Sequence, residues 1–165
     1  MLAYFYLNYR ANGLLPVIYA EGVPSLVDFL TTYLKLPLAG CYVETPTGPE
    51  FAGMGWLSSV TDVPEGYRIA ECGIGMLPPF QTKESIAFGR LLLEYCFEDL
   101  KIDVLTGSVP HQNRRAIMYA THALGFGLLG PVDGQWRPVL TKTQWLKLKE
   151  KEEAVSAGRT MEEHQ

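Results

Sequence analysis

The sequence predicts an α/β fold of the mixed kind, a mostly antiparallel sheet flanked by helices in a single domain. Two apolar runs, residues 38–44 and 51–60, flank Thr45-Pro-Thr-Gly-Pro49, whose prolines and glycine are the chemistry of a hairpin turn. A third apolar run at 69–77 follows the turn Val63-Pro-Glu-Gly66. Beyond it, a long amphipathic segment, a strand and a second helical segment make a crossover, which lays helices on the faces of the sheet. With 165 residues, 47% hydrophobic and 12% aromatic, the chain can bury a substantial core in one domain.

In chain order, residues 2–7 are aromatic and apolar and read as a strand, Asn12-Gly13 as a turn, and 14–20 as a second strand. A short helix over 4–9 is the alternative. Ser25 is an N-cap with Asp28 three residues on, and Leu26, Phe29, Leu30, Tyr33 and Leu34 share one face of the helix that follows, which ends before Pro37. In the strand at 69–77, Gly73 and Gly75 mark a backbone that another chain segment or a ligand approaches closely.

Pro78-Pro79 stops that strand. Thr82 then offers an N-cap and Glu84 a first-turn acid for a helix over 80–100, with Ile86, Leu92, Leu93, Tyr95, Cys96 and Phe97 at mixed three-and-four spacing. Residues 102–109 read as a strand ended by Pro110, and 116–124 as a helix with Gly125 at C′. Residues 127–134 are a loop or short strand and 135–141 a last strand. Thr143 caps a C-terminal helix through Trp145, Leu146 and Leu148, whose charged run at 147–153 reads as a solvated face. This divides the chain into a domain at 1–141 and a charged helix with tail at 142–165. The tail from 154 onward has little to bury and is expected to be mobile or ordered against a protein partner.

Composition narrows the function. A net charge of -4 argues against a general nucleic-acid or anionic-membrane binder, and no apolar run approaches the length that spans a bilayer. The first residues lack the basic region and cleavage site of a signal peptide. Cys41, Cys72 and Cys96 are isolated, odd in number and set in apolar segments, the pattern of reduced thiols in a cytoplasmic protein. His111 and His122 lack the spacing of metal ligands, so no metal site is expected.

The strand ending in Gly75-Met-Leu-Pro78, the Gln81 turn into a helix, and Asn113-Arg-Arg-Ala-Ile-Met-Tyr-Ala-Thr-His-Ala-Leu-Gly-Phe126 together resemble the central segments of the GNAT N-acetyltransferase superfamily. The resemblance covers residues 67–126; elsewhere it extends only to the order of strands and helices, and the family's usual opening strand is not visible. It implies a GNAT-like fold and an acetyl-CoA-dependent N-acetyltransferase of unknown acceptor. It also implies that backbone at Met76 and Leu77 holds the pantetheine arm, that the turn from Gln81 through Thr82, Lys83 and Ser85 meets the pyrophosphate, and that Asn113 fixes the arm. Anion binding there follows from exposed amides and the helix dipole. Two alignments of the turn stay open: one sets Glu84 and Ile86 on the family's glycine-type positions, and the other sets Ser85 and Ala87 there.

Two candidates for proton transfer follow. Tyr119 lies near the family's thiolate-protonating tyrosine, but its segment carries one residue more than the common spacing, which turns a helical side chain by roughly 100°. Glu71, an ionisable group in an apolar strand, is a candidate base. Arg114 and Arg115 stand where a phosphate would be attracted. The degenerate turn supports a second reading, a non-catalytic GNAT-fold structural or interaction protein. Small proteins of this resemblance occur in tailed phages, including virion components, so a virion location and an oligomer are further expectations.

Overall fold

The computed structural model describes residues 1–19 and 22–162, with side chains through residue 155. Three helices open the chain: α1 (Leu2–Ala11), the single turn α2 (Leu15–Ile18) and α3 (Leu26–Tyr33). The two opening strands expected at 2–7 and 14–20 are therefore helices over the described residues, Ala20 lying outside them. The aromatic content of the first run suggested β structure, yet Leu2, Phe5, Tyr6 and Tyr9 are the residues it buries, spaced as one helical face. In α3 the expected cap is present, Ser25 Oγ accepting from the Asp28 amide at 3.1 Å.

Strands β1 (Leu38–Thr45), β2 (Gly48–Asp62) and β3 (Arg68–Met76) form an antiparallel meander. A short 3-10 turn at Pro78–Phe80 leads into α4 (Lys83–Glu94), extended by a π-helical turn, Tyr95–Asp99. Then come β4 (Val104–Thr106), β5 (Val109–Pro110), α5 (Arg114–Met118) with its own π-helical turn at Tyr119–Ala123, the hairpin β6 (Gly127–Val132) and β7 (Gln135–Thr141), and α6 (Lys142–Glu162). The seven strands run β1-β2-β3-β4-β7-β5, with β6 also on β7. Among the described residues β3 and β4 pair in parallel and the other pairs are antiparallel.

Helices cover both faces. On one face α4, α5 and α6 close over Leu57, Ala70, Phe97, Ile102, Leu105 and Leu140. On the other, α1, α2 and α3 pack on Met54, Trp56 and Leu77. Gly73 and Gly75 are explained by this second layer: a Cβ would lie 2.1 Å from the Trp56 ring at Gly73 and 2.4 Å from the Phe5 ring at Gly75. What approaches the strand there is aromatic side chain.

The C-terminal helix does not stand apart from the domain ending at 141. Trp145 is buried and stacks on Phe97 with ring centroids 5.2 Å apart. Lys149 reaches Glu94 at 3.1 Å and Glu98 at 3.0 Å, and Arg90 reaches Glu152 at 2.6 Å, so part of the charged run faces α4. The cap expected at Thr143 falls instead on Thr141, whose Oγ1 accepts from the Gln144 amide at 3.2 Å while Gln144 Oε1 accepts from the Thr141 amide at 3.0 Å. This is a capping box, two residues earlier than expected. The α6 backbone continues to Glu162 through most of the expected tail; residues 163–165 lie outside the described residues.

Candidate functional site

Strands β3 and β4 part company after three paired residues, the last being Glu71 with Thr106. Beyond that point β3 stays on β2 as far as Met76, while β5 stays on β7 through Val109 and Trp136. The sheet therefore opens into a V between residues 72–76 and 107–110. The Leu77 amide donates to the Ala52 carbonyl at 2.8 Å, which fixes the alternation along β3. Backbone groups of residues 77, 75 and 73 face β2; the Cys72 amide is taken by the Thr106 carbonyl in the last β3–β4 pair, and the Cys72 carbonyl and the backbone groups of Ile74 and Met76 face the open edge. A strand edge with unmatched amides and carbonyls is a template for an extended ligand.

At the wide end of the V stands the start of α4. Of its first-turn amides, which precede the first intrahelical bond from the Ile86 amide to the Thr82 carbonyl at 3.4 Å, Glu84's is taken by its own carboxyl and those of Lys83 and Ser85 have no intrahelical partner. An anion placed there meets these donors and the positive end of the helix dipole. Across the gap, α5 begins at Asn113, whose Oδ1 accepts from the Ala116 amide at 3.1 Å. Arg115 reaches back to the Gln81 carbonyl at 3.2 Å. The mouth of the cleft, about 230 Å³, is lined by Tyr9, Ile74, Met76, Gln81, Ser85, Asn113, Arg115 and Tyr119 among others.

The predicted site residues divide clearly. Met76, Gln81, Ser85, Asn113 and Tyr119 come together around the mouth. The Met76 carbonyl already accepts two hydrogen bonds, from the Tyr9 hydroxyl at 2.6 Å and from Gln81 Nε2 at 2.8 Å. Leu77 is buried, with its amide turned toward β2, and does not line the cleft. Lys83 and Thr82 lie on the helix start without lining the cleft either. Thr82 occupies the N-cap position but its hydroxyl donates to Glu84 Oε2 at 2.7 Å, so the expected side-chain cap on α4 is not made. Glu71 lies between Ser58 and Thr106 in the paired part of the sheet and is not among the residues lining the cleft.

Ser85 lines the cleft, whereas Glu84 and Ala87 line a groove on the other flank of α4, beside Cys41 and Tyr42. The Thr82 hydroxyl and the Glu84 amide hold the Glu84 carboxyl below its usual range. Its negative charge is thus satisfied locally and turned aside from the gap between the strands.

The extra residue around Tyr119 is likewise absorbed. A π-helical turn accommodates one residue more than an α-turn, and Tyr119–Ala123 forms such a turn. Tyr119 then points at α4, donating to the Ser85 carbonyl at 2.5 Å, and burial pushes its pKa well above the ordinary tyrosine value. The Tyr9 hydroxyl is pushed up to about 12 by burial, so both phenols are neutral near pH 7. Cys72, beside the V, is also raised to about 12 by burial, an inert thiol and not a nucleophile.

The N-terminal helices bring residues that were not anticipated at the site: Tyr9, Leu14, Val17 and Ile18 line the mouth. The signal was present in the spacing of Leu2, Phe5, Tyr6 and Tyr9, which is that of a helix laid across the sheet. Among the described residues no cluster of histidine, cysteine and carboxylate side chains suits a metal ion, and no helix is long and apolar enough to cross a membrane.

Comparisons with known proteins speak to the fold. No protein-family model matches the sequence, and no curated protein matches it. Solved structures do. A spermidine N-acetyltransferase SpeG variant from Vibrio cholerae superposes with a TM-score of 0.63 at 16% identity, over 90% of this chain and 94% of that one. A GNAT-family acetyltransferase from Bacillus anthracis gives 0.64 at 12% identity, over 84% and 88%. The chain also aligns with 61% of the length of the N-acetyltransferase PseH from Campylobacter jejuni, at 17% identity, over 56% of this chain, with a TM-score of 0.49. The fold is therefore the GNAT fold, as the central segments suggested.

Proposed function

We propose that this protein is an acyl-CoA N-acyltransferase that binds acetyl-CoA in the cleft between β3 and β5 and transfers the acetyl group to an amine. The single observation that carries the reading is the V itself, a β3 edge of outward-facing backbone at Ile74 with a helix N-terminus and Arg115 at its open end. The residues fit the cofactor: the Ile74 amide and carbonyl would hold the pantetheine arm, Asn113 would fix it, and the first-turn amides of α4 with Gln81 and Arg115 would meet the phosphates. When bound, acetyl-CoA supplies the activated thioester. Tyr119 is protonated near neutrality and unsuited to take a proton from the amine; to give one to the departing thiolate its hydroxyl would have to turn from the Ser85 carbonyl to which it now donates. Glu71 has no role in this scheme.

One observation favours a second reading. The Met76 carbonyl, expected to serve the cofactor, is already satisfied by Tyr9 and Gln81. A GNAT fold kept as an interaction protein, for example a virion component, would account for it. Titration calorimetry of the purified chain with acetyl-CoA separates the two. Saturable binding weakened by Arg115→Gln supports the enzyme; no heat at millimolar acetyl-CoA supports the interaction protein.

A further inference from the structure

Inward of the mouth the cleft opens into a cavity of about 160 Å³ that passes between the parted strands. Its wall toward the N-terminal helices is built from Phe5, Leu15, Ile18, Tyr19, Phe29 and Tyr33, with Trp56 beside them. No Asp, Glu, Lys, Arg or His lines it among the described residues. The Tyr19 hydroxyl is occupied by the Tyr33 oxygen at 3.1 Å, and burial raises the pKa of both phenols. An apolar cavity of this size holds a single benzene-sized group. A second ammonium inside it would be desolvated without a carboxylate partner.

We propose, resting on the acyltransferase reading above, that the part of this cavity walled by the N-terminal helices, beyond the strand edge assigned to the cofactor, is the acceptor subsite and that it takes a small apolar primary amine. The amine carries one aromatic ring or branched aliphatic group and no second charge; polyamines are rejected. The amine nitrogen, in its neutral form, forms the C–N bond with the thioester carbonyl carbon, and the C–S bond breaks with its electron pair staying on sulfur. The proton lost by nitrogen is balanced by the one gained by the thiolate, so amine and acetyl-CoA give amide and coenzyme A. Selection comes from the aromatic wall, which the N-terminal helices supply.

The test measures coenzyme A release by the full chain with 2-phenylethylamine and with spermidine, after calorimetry has established acetyl-CoA binding. The expected kcat/KM for 2-phenylethylamine exceeds that for spermidine at least tenfold. Tyr19→Glu, which sets a carboxylate in the wall, narrows or reverses that ratio through KM. Tyr19→Gln, isosteric with that variant but uncharged, raises KM for 2-phenylethylamine by the loss of the ring without lowering KM for spermidine, and thermal unfolding of both variants shows that they fold. If acetyl-CoA binds and spermidine is used as well as or better than 2-phenylethylamine, or neither amine is acetylated, the acceptor assignment falls and the donor site stands. If acetyl-CoA does not bind, both fall.

Discussion

Glycines 53 and 75 are diagonal neighbours in the antiparallel pair of β2 and β3, Gly53 opposite Met76 and Gly75 opposite Met54. A Cβ at Gly53 would lie 2.4 Å from the Gly75 carbonyl oxygen, which is backbone held in the sheet and has nowhere to go. Gly53→Ala is expected to cost about 1–3 kcal/mol or more, as overpacking does, seen as a lower midpoint in urea unfolding. Ionisable groups give a second expectation at this scale. Burial raises Cys72 and Cys96 from an ordinary 9.0 to about 12, and Tyr9 from 10.0 to about 12. Groups whose folded pKa lies above the unfolded value bind protons more tightly when folded, so their stabilisation is complete below about pH 9 and declines from there toward pH 12. Stability measured by denaturant titration should therefore fall steadily as pH rises above 9. A flat profile from pH 8 to 11 would contradict the burial of these three groups.

At the scale of elements, ends were more legible than interiors. Ser25 was readable because its hydroxyl needs only a local amide, and the hairpin between β1 and β2 because its turn residues admit few conformations. The helical nature of α1 was obscured by aromatic residues that favour strands in isolation, and it is decided by packing of Phe5 and Tyr6 on Phe29 and of the helix on the sheet. The π-helical turn at Tyr119 was visible as one residue too many, although only the fold shows where the surplus is absorbed. The start of α6 was displaced because Thr143 and Thr141 both suit a cap; Gln144, three residues after Thr141, was the deciding signal. Thr141→Ala should cost about 1 kcal/mol, measured by thermal unfolding, and Thr143→Ala close to nothing.

Across the whole molecule, α6 is bound to the domain by one aromatic contact more than by its charges. Trp145 is buried against Phe97, so Trp145→Ala should cost roughly 3–5 kcal/mol. Lys149 and its partners Glu94 and Glu98 are all substantially exposed, and Lys149→Ala should cost less than about 1 kcal/mol. Equilibrium unfolding in guanidinium checks both. The V in the sheet is also a whole-molecule property: β3 is held by β2 and β5 by β7, so each diverging strand keeps an outer neighbour while losing its inner one. The sequence showed the segments on either side of the V, residues 67–126. It could not show the wall of the cleft, because Tyr9, Ile18, Tyr19 and Tyr33 reach it through tertiary packing of helices distant in the chain.

The most direct measurement is amide hydrogen exchange at Ile74, with and without saturating acetyl-CoA. Its amide faces the open edge of β3 beyond the last pair with β4, where the pantetheine arm would pair with it, while the Cys72 amide is taken by Thr106 and the amides of Gly73 and Gly75 are bonded to β2. Slowed exchange at Ile74, with Gly73 and Gly75 unchanged, is the expected result. Unchanged exchange at Ile74 under saturating acetyl-CoA would contradict the assignment of this cleft.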